Sequence, residues 1–210
     1  MKLYDYFRSS AAYRVRIALA LKGLDVERIF VRLSAGEQRL PGFLAKNPQG
    51  LAPALELDDG TALTQSLAII EYLDHVAPQP RLVPAEPLLA AKVRGVALAI
   101  ACDIHPLHNR RVLDYLRSRV GQSEEQIDRW VRHWVLQGGL EAVERLVEPG
   151  PFCFGAEPTL ADACLVPQLF AARRFATPLA SLPKLLAIEA HCAEHPAFAA
   201  AHPMRQPDAE

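Results

Sequence analysis

Two adjacent serines, Ser9 and Ser10, stand where a short strand pattern gives way to a helical pattern. The first turn of a helix presents unsatisfied N–H groups and about half a positive charge, which together stabilise an anion such as a thiolate. A serine hydroxyl at the same point can donate one more hydrogen bond to that anion. Serine is also a preferred helix cap, so the residue types allow either a binding role or a purely structural role.

A second helix start, at Gln65 and Ser66, has the same double character. We expect Ser66 to cap the helix that follows, because serine is among the favoured cap residues. A capped helix N-terminus can also bind a carboxylate, with the side chain or backbone of Gln65 assisting. Capping and anion binding are therefore expected to coexist at Ser66.

A polar cluster follows the long apolar run of residues 96–104 and contains His105, His108, Arg110 and Arg111. The two histidines are three positions apart, but a proline lies between them and no third ligand is near, so no metal is expected. Paired arginines suit a ligand with carboxylates, because a guanidinium group forms two parallel hydrogen bonds with a carboxylate. A solvent-exposed basic helix face is the alternative interpretation.

The other chemically distinctive residues favour structural roles. Thr159 and Asp162 have the spacing of a capping box, with Asp in place of the usual Glu or Gln. Trp130 and Trp134 lie one helical turn apart and are expected in the core, and Cys102 is expected to be a small buried hydrophobe. The four cysteines include no C-x-x-C pair, which argues against a zinc site, a disulfide framework or a dithiol centre. We expect a cytoplasmic protein with reduced thiols.

The elements that position the first two sites lie within residues 1–80, where the hydrophobic period changes often. Residues 2–6 have a strand pattern, residues 11–22 a helical pattern, and residues 29–33 a second strand pattern. A short helix, a hairpin around Asp58-Asp59-Gly60 and a longer helix follow. The predicted order is β-α-β-α-β-β-α, which indicates a small α/β domain.

The segment after this domain is crowded with prolines, which exclude a regular element: Pro78, Pro80, Pro84 and Pro87. Residues 81–87 are therefore predicted to form a linker. Beyond it, residues 88–120 form one long helical pattern with a kink expected at Pro106, and residues 125–147 form another. Shorter helical patterns complete a predicted all-helical domain over residues 88–210.

Charge and composition exclude several functions. Among 210 residues, 23 basic residues nearly balance 24 acidic residues, which leaves a formal charge of -1. That balance provides no electrostatic footprint for a nucleic acid or an anionic membrane. A chain that is 50% hydrophobic and 22% charged has the composition of a globular protein and not of a disordered one. No apolar run approaches the ~18 residues of a membrane span, and no signal-peptide pattern is present.

Several segments resemble the zeta class of glutathione transferases, in order and at fitting distances along nearly the whole chain. Residues 7–19 (FRSSAAYRVRIAL) are similar to the serine-bearing motif of that class, and residues 65–73 (QSLAIIEYL) to its glutathione-binding helix start. Residues 103–113 (DIHPLHNRRVL) are similar to the active-site helix of its bacterial isomerases. Further matches lie at residues 158–162, 166–168, 172–175 and 205–208.

The resemblance implies a thioredoxin-like N-terminal domain, an all-helical glutathione-transferase C-terminal domain and a homodimer. It also implies glutathione as cofactor and the cis–trans isomerisation of maleylacetoacetate or maleylpyruvate, small cis-enol diketo acids of aromatic-acid and tyrosine catabolism. In the family mechanism, the glutathione thiolate adds to the cis double bond, which then rotates as a single bond before the thiolate leaves. The protein must lower the thiol pKa from ~8.5 and stabilise the enolate.

The resemblance also assigns roles to the first site. Ser9 is the first candidate for the thiol contact and Ser10 the second, and Ala11 follows them at the position where the family commonly has cysteine. Any nucleophilic sulfur must therefore come from glutathione. The Ala52–Pro53 peptide bond is expected to be cis, which would expose the Ala52 backbone to the cysteinyl amide of glutathione; an ordinary trans bond is the alternative.

The resemblance also assigns residues to the rest of glutathione and to the acidic end of the substrate. The expected glutathione ligands outside the first motif are Gln65, Ser66, His105, Asn109 and Arg110. The acidic end of the substrate is assigned to Arg8, Arg111 and Arg174, of which Arg8 and Arg111 are also expected to be catalytic. Arg173 is an alternative to Arg174, because either of the two adjacent arginines could point inward.

Three functions remain to be separated. The first is the isomerase, which the several arginines favour because its substrate carries acidic ends. The second is a general glutathione transferase acting on electrophiles or halogenated acids. The third is a non-catalytic binding module, which has no need for both serines, Gln65-Ser66 and the arginine cluster together. Arg110 stands where many maleylacetoacetate-type sequences have an apolar residue, so maleylpyruvate stays open as the substrate.

Overall fold

The N-terminal elements form a four-stranded mixed sheet. The computed structural model describes every residue from Met1 to Glu210. The strands are β1 (Lys2–Asp5), β2 (Glu27–Phe30), β3 (Ala54–Glu56) and β4 (Ala62–Thr64), in the spatial order β2-β1-β3-β4. β1 pairs with β2 in parallel and with β3 antiparallel, while β3 and β4 form an antiparallel hairpin. Gly60 closes that hairpin with a φ of 87° that suits glycine.

The first eighty residues also form three helices: α1 (Ser10–Leu21), α2 (Pro41–Leu44) and α3 (Ser66–Val76). Helix α1 is buried on most of its surface because it packs against α3 and also against α10 (Pro196–Ala201) near the C-terminus. Its Val15 and Ile17 have no exposed surface. The predicted order β-α-β-α-β-β-α and the α/β character of this region are confirmed.

A buried ion pair anchors the proline-rich segment that follows α3. Lys22 Nζ donates to the Asp74 carboxylate at 2.9 Å and to two backbone carbonyls of the segment, including that of Pro80. Asp74 in turn accepts hydrogen bonds from the backbone N–H groups of Leu82 and Val83. The beginning of the expected linker is therefore packed and hydrogen-bonded.

The chain divides into two compact units, one of Met1–Val83 with Ala193–Glu210 and one of Pro84–Cys192. The C-terminal residues join the first unit because α10 packs against α1 and the Asp208 carboxylate accepts a hydrogen bond from the Phe7 backbone. This division differs from the expected boundaries, which placed residues 193–210 in the helical domain. Helical periodicity shows that a segment is a helix but does not show where the helix packs.

The second unit is helical. It contains α4 (Pro87–Leu98), α5 (Arg110–Ser118), α6 (Glu124–Arg132), α7 (Glu141–Leu146), α8 (Leu160–Arg174) and most of α9 (Pro183–Glu194). Two wider π-helical segments, Ala99–Ile104 and His133–Leu140, extend α4 and connect α6 to α7. They pack closely at Gly139, where an added Cβ would lie 2.7 Å from Ile104 Cγ1.

The predicted helix over residues 88–120 is divided in the structure. A 3₁₀ turn at His105–His108 contains Pro106, and Asn109 is extended, with a ψ of 142°. Asn109 then caps α5, since its side chain accepts a hydrogen bond from the Arg111 N–H at 3.1 Å. The pattern over residues 125–147 is continuous in the structure as α6, a π-helical segment and α7.

The capping box at the start of α8 is confirmed. Asp162 is fully buried, and its carboxylate accepts hydrogen bonds from the Thr159 backbone at 2.8 Å and the Cys153 backbone at 2.7 Å. Two other expectations were wrong. Trp134 is 37% exposed and Cys102 is exposed, because both lie on faces that no other element covers within their own unit. No helix has the length and apolar character needed to cross a membrane.

Candidate functional site

The first group of candidate site residues lies at the start of α1, in the first unit. Ser9 is the N-cap of this helix: its Oγ accepts a hydrogen bond from the Ala12 N–H at 3.2 Å. The same hydroxyl donates a long hydrogen bond, 3.5 Å, to the carbonyl oxygen of Ala52. The Ala52–Pro53 peptide bond is cis, as the resemblance predicted. The half-exposed Ser9 hydroxyl is thus placed between a helix N-terminus and the backbone before β3.

Ser10 and Ala11 follow Ser9 in the first turn of α1. Ser10 is the first helical residue and is only 7% exposed, whereas Ser9 and Ala11 are half-buried. The structure therefore favours Ser9 over Ser10 as a hydroxyl that a bound molecule could reach. Ala11 provides no thiol at this helix start.

The start of α3 corrects one expectation. Gln65 is the N-cap residue of this helix, with a φ of 67° and no capping hydrogen bond from its side chain, while Ser66 is the first helical residue. Ser66 Oγ instead accepts a hydrogen bond from Arg14 NH1 at 3.2 Å. Arg14 is 2% exposed, so a buried cation from α1 holds this hydroxyl. Sequence spacing could not reveal that contact, because Arg14 lies 52 positions from Ser66.

Gln49 belongs to the same region and was missed by the sequence analysis. Its Oε1 accepts a hydrogen bond from Gln65 Nε2 at 2.8 Å, so the two amides are arranged side by side. The loop that carries Gln49 is shaped by the buried Asn47, which accepts from the Gln49 N–H at 3.0 Å and donates to the Leu51 carbonyl at 2.5 Å.

Arg8 is exposed and lies one residue before Ser9. Its NH2 donates to the Tyr6 hydroxyl at 3.3 Å, and its guanidinium carbon lies 5.2 Å from the Phe7 ring centroid. A cation stacked on an aromatic ring keeps an accessible edge for a carboxylate. Arg8 is therefore an accessible cation near the α1 start, which is compatible with binding an anion.

Buried charges support the loop that carries Arg8. Asp5, at the end of β1, is fully buried and pairs with Arg16 at 2.9 Å and with Arg28. Burial lowers the pKa of Arg16 to about 10 and also lowers the pKa of Arg28. The sequence analysis identified neither this acid nor its two arginines, because all three look like ordinary charged residues in a strand and a helix.

The second unit has its own group of candidate site residues, which lies on the 3₁₀ turn and α5. Asn109 caps α5, so its side-chain oxygen already has a structural partner in the Arg111 N–H. Arg110 and Arg111 are exposed in the first turn of α5, and Arg110 Nε lies 3.3 Å from Asp114. The alternative of a solvent-exposed basic face therefore describes their present surroundings, and carboxylate binding is compatible with their accessibility.

A row of rings joins the 3₁₀ turn to the end of α8. The His105 and His108 ring centroids are 5.3 Å apart, and His108 lies 5.4 Å from Phe175. The Arg174 guanidinium carbon lies 6.0 Å from the Phe175 ring centroid. The structure therefore places His105 and Arg174, which were predicted separately, at the two ends of one contact row.

Two further contacts define this region. His108 is buried, and its Nε2 lies 2.9 Å from Nε2 of the fully buried Gln168 on α8. Arg173 forms a two-bond pair with Glu189 on α9, with both distances 2.5 Å. Because Arg173 is committed to that pair, Arg174 is the better candidate for a ligand. No group of three or more His, Cys, Asp or Glu side chains is arranged to hold a metal ion.

The thiols of the protein are poorly suited to nucleophilic chemistry. Burial raises the pKa of Cys153 and of Cys192 well above the usual thiol value, and Cys164 is also buried. Cys102 is exposed but lies in the second unit, on the π-helical segment after α4. An external thiol fits the α1 start, where Ser9 provides a hydroxyl and the helix N-terminus favours the thiolate.

The residues of the first unit fit glutathione in particular. The Ala52 backbone, which precedes β3, presents a carbonyl that a peptide ligand could meet, and the start of α3 at Gln65 and Ser66 offers a helix N-terminus to a carboxylate. Gln65 Oε1 and Gln49 Nε2 take no part in the hydrogen bond between the two amides, and they would add polar partners without charge. This fit rests on the positions of donors and acceptors in that unit.

Both parts of the chain match glutathione S-transferase family models. Residues 1–75 match the model described as glutathione S-transferase, N-terminal domain, and residues 124–200 match glutathione S-transferase, C-terminal domain. A maleylacetoacetate isomerase of Pseudomonas aeruginosa is 54% identical over 210 residues, which is 99% of this chain and 98% of that relative.

Solved structures agree with the sequence matches. The holo structure of a maleylpyruvate isomerase, described as a bacterial glutathione S-transferase of the zeta class, has a TM-score of 0.96 and 43% identity and covers 100% of both chains. A maleylacetoacetate isomerase of Anaeromyxobacter dehalogenans, with dicarboxyethyl glutathione and citrate bound in its active site, has a TM-score of 0.89 and 42% identity. That match covers 100% of this chain and 97% of the other.

Proposed function

The chain belongs to the zeta class of the glutathione S-transferase family, and from this membership we propose that it is a glutathione-dependent cis–trans isomerase. The proposed substrates are maleylacetoacetate or maleylpyruvate, which would be converted to their fumaryl isomers. The observation that carries the proposal is the placement of Ser9, whose hydroxyl caps α1 beside the carbonyl of Ala52 and the cis bond to Pro53.

Glutathione, when bound, supplies a thiolate that adds reversibly to the cis double bond and so allows rotation about it. In our proposal the Ser9 hydroxyl donates a hydrogen bond to the sulfur, and the α1 N-terminus stabilises the negative charge. Both effects lower the thiol pKa from ~8.5 toward the working pH. Ser10 is the second candidate for this hydrogen bond, and Ala11 lines the same helix start without a competing thiol.

The remaining glutathione contacts are proposed from donors that the first unit presents. The Ala52 backbone would bind the cysteinyl amide, because Ala52 precedes β3 and takes no part in its ladder, which begins at Ala54. Gln65 and Ser66 would bind the γ-glutamyl carboxylate at the start of α3, where Arg14 adds a buried positive charge. In the second unit, His105, Asn109 and Arg110 are proposed as further glutathione contacts.

The acidic substrate is proposed to bind through arginines. Arg8 in the first unit and Arg111 in the second are exposed, and each has a planar guanidinium that can form two hydrogen bonds with a carboxylate. Arg174 is the third candidate, since Arg173 is paired with Glu189. These cations would also stabilise the enolate charge that develops when the thiolate adds.

The relative from Anaeromyxobacter supports this arrangement by chemical analogy. Dicarboxyethyl glutathione is a glutathione whose sulfur carries a four-carbon dicarboxylic acid, so it resembles the product of thiolate addition to a maleyl compound. Citrate in that active site shows that the relative accommodates carboxylates. In our proposal, Ser9 and the arginines provide the corresponding sulfur site and carboxylate sites in this chain.

The test is a direct assay of isomerisation. Purified protein with glutathione should convert maleylpyruvate or maleylacetoacetate to the fumaryl isomer, followed by the change in ultraviolet absorbance and by product identification. Comparing kcat/KM for the two acids would identify the better substrate. Absence of turnover of both acids, in a preparation that binds glutathione, would contradict the proposal.

We also infer that the protein is a homodimer, as the family resemblance implies. Helix α4 supports this because it exposes two large apolar side chains, Leu88 at 66% and Leu98 at 47%. Sedimentation equilibrium should give twice the chain mass of 23.1 kDa. A sedimenting mass equal to one chain at micromolar concentration would contradict it. The cytoplasmic location stays a prediction.

A further inference from the structure

The loop between β1 and α1 is held from several sides by residues distant in sequence. We define this segment, residues 6–9, as the serine loop. Within it, the Ser9 N–H donates to the Tyr6 carbonyl at 2.9 Å. Arg16 NH2 donates to the Phe7 carbonyl, also at 2.9 Å. The Phe7 N–H donates to Oδ2 of Asp208 at 2.9 Å, across 201 positions of sequence. The loop backbone is therefore tethered on both its carbonyl side and its N–H side.

Asp208 lies next to the buried charges beneath the serine loop. Asp5 pairs there with Arg16 and Arg28. Burial lowers the pKa of both arginines, and the negative charge of Asp208 opposes that effect by raising it. Oδ1 of Asp208 is buried and accepts no hydrogen bond. One oxygen of this carboxylate is thus buried, and the other accepts the hydrogen bond from the Phe7 N–H.

The C-terminal tail that carries Asp208 is itself firmly attached to the first unit. Gln206 is 7% exposed, and its Nε2 donates to the carbonyls of Ala200 and His202, both at 2.9 Å. Its Oε1 accepts from Arg28 at 3.2 Å. A tail anchored in this way can hold Asp208 at a fixed place, which a loose terminus could not do.

We propose that Asp208 is a positioning residue for the thiol site. Its hydrogen bond with the Phe7 N–H holds the serine loop so that the Ser9 hydroxyl and the first turn of α1 meet the glutathione sulfur in the correct geometry. This inference rests on the proposed function, in which Ser9 contacts the sulfur. Asp208 touches neither glutathione nor substrate in this role, and it acts only through the loop.

The physical reason lies in the sensitivity of such sites to small displacements. A shift of about 1 Å in a reacting group can reduce a rate by up to ~10²-fold. Phe7 is two residues from Ser9, so a change in the Phe7 peptide plane is transmitted directly to the Ser9 backbone. Arg16 fixes the carbonyl of that same residue, and Asp208 fixes its N–H.

The experiment titrates the thiol of bound glutathione in the full-length protein. Thiolate absorbance in the ultraviolet is followed against pH for the wild type, Asp208→Ala and Asp208→Asn, and kcat and KM are measured with the maleyl acid. In Asp208→Ala we expect a higher thiol pKa and a kcat lowered by about tenfold, within the range for a misplaced group. The KM for glutathione should change little, because Ala52, Gln65 and Ser66 are untouched.

Asp208→Asn separates the hydrogen bond from the charge. Its amide oxygen can still accept from the Phe7 N–H, so the thiol pKa and kcat should stay close to those of the wild type. Asp74→Ala is the matched control, since Asp74 is a buried carboxylate of the same unit that also accepts from backbone N–H groups. It should lower the melting temperature while leaving the thiol pKa unchanged.

Three outcomes would overturn the inference. A folded Asp208→Ala with the thiol pKa and kcat of the wild type would show that the tail is only structural. A folded Asp208→Asn with the same rise in thiol pKa and the same fall in kcat as Asp208→Ala would show that the charge of Asp208, and not its hydrogen bond, controls the thiol site. An Asp74→Ala variant with an equal shift would show that lost stability alone moves the thiol pKa. If Asp208→Ala does not fold, Asp208→Ser replaces it, because the serine side chain is too short to reach Phe7.

The thiol titration also distinguishes this inference from the proposed isomerase. It uses glutathione alone, so it reports on the serine loop even in a protein that turns over neither maleyl acid. A wild type without isomerase activity but with a thiol pKa that depends on Asp208 would contradict the proposed function and support this inference.

Discussion

The Ser9 hydroxyl lies 3.5 Å from the carbonyl oxygen of Ala52, although 43 residues separate the two in sequence. Ser9 ends the loop after β1 and caps α1, while Ala52 precedes the cis bond that leads into β3. The N-terminus of a helix and the backbone that leads into β3 therefore meet at one point of the first unit. In our proposal, glutathione bound at the Ala52 backbone would present its thiol to the start of α1.

Replacing Ser9 by alanine should raise the pKa of the glutathione thiol in the complex, because the sulfur loses one hydrogen-bond donor. The loss of a hydrogen bond to a charged group is worth roughly 1.5–3 kcal/mol, so the rise should be about one to two pKa units. Thiolate absorbance against pH measures it. An unchanged titration would transfer the role to Ser10.

Ser9→Ala also removes a helix cap, which costs about 1 kcal/mol of folding stability. Ser123→Ala is the matched control, since Ser123 caps α6 in a full capping box within the second unit. It should lower stability by a similar amount and leave the glutathione titration unchanged. An equal shift of the thiol pKa in both variants would attribute the effect to stability.

Removing glutathione should abolish isomerisation. Ala11 provides no thiol at the helix start, and burial raises the pKa of Cys153 and Cys192, so neither is a thiolate near neutral pH. The assay is turnover of a maleyl acid by extensively dialysed protein with all cysteines reduced, before and after glutathione is restored. Cys102→Ala is the control for the exposed thiol and should behave as the wild type. Turnover without glutathione would refute the mechanism.

Arg111→Ala should selectively impair turnover of the maleyl acid. If the guanidinium binds a carboxylate, its loss costs roughly 1.5–3 kcal/mol, which corresponds to about a ten- to hundredfold fall in kcat/KM. Conjugation of glutathione to an uncharged electrophile should change little, because that substrate has no carboxylate. Lysine at this position should restore part of the rate, since an ammonium lacks the planar fork.

Arg117→Ala is the matched control for Arg111, because it lies on the same helix and its guanidinium is bound to Glu124 at 2.7 Å and 2.9 Å. Both activities should survive that change. If Arg111→Ala instead reduces both activities equally, Arg111 serves glutathione binding or folding, and the acid-specific isomerase loses its main functional evidence.

Gly139→Ala should destabilise the second unit, because the new Cβ would lie 2.7 Å from Ile104 Cγ1 and 2.7 Å from the Trp134 carbonyl oxygen. Overpacking of this kind should lower the free energy of unfolding by about 1–3 kcal/mol. Gly138→Ala is the control, since its nearest contact would be 3.4 Å from the Trp134 ring. Urea unfolding of both variants measures the difference in stability. Equal unfolding midpoints would show that the two π-helical segments can move apart to accept the added methyl group without losing stability.

The order of elements and the start of several helices could be predicted from the sequence because they depend on neighbouring residues. The short aromatic-rich pattern of β1, the helical spacing in α1 and the glycine turn between β3 and β4 are properties of short segments. The capping box of Thr159 and Asp162 is local too, since its hydrogen bonds span three residues. These predictions needed no knowledge of tertiary packing.

The expectation for Ser66 shows where local reasoning ends. Serine favours the cap position, yet Gln65 occupies it and Ser66 Oγ accepts from Arg14. The choice between Arg173 and Arg174 was undecidable for the same reason, because it depends on Glu189 of a different helix. Long side chains choose their partners among groups that only folding brings together.

The C-terminal tail is the clearest case. The sequence by itself determined that shorter helices, broken at prolines, follow residue 147, since apolar spacing and prolines are local signals. Only the tertiary structure decided that α10 packs on α1 and that Asp208 reaches the Phe7 N–H. A hydrogen bond between residues 201 positions apart has no signature in either segment, because its energy exists only when packing excludes water from both partners and leaves each as the other's neighbour.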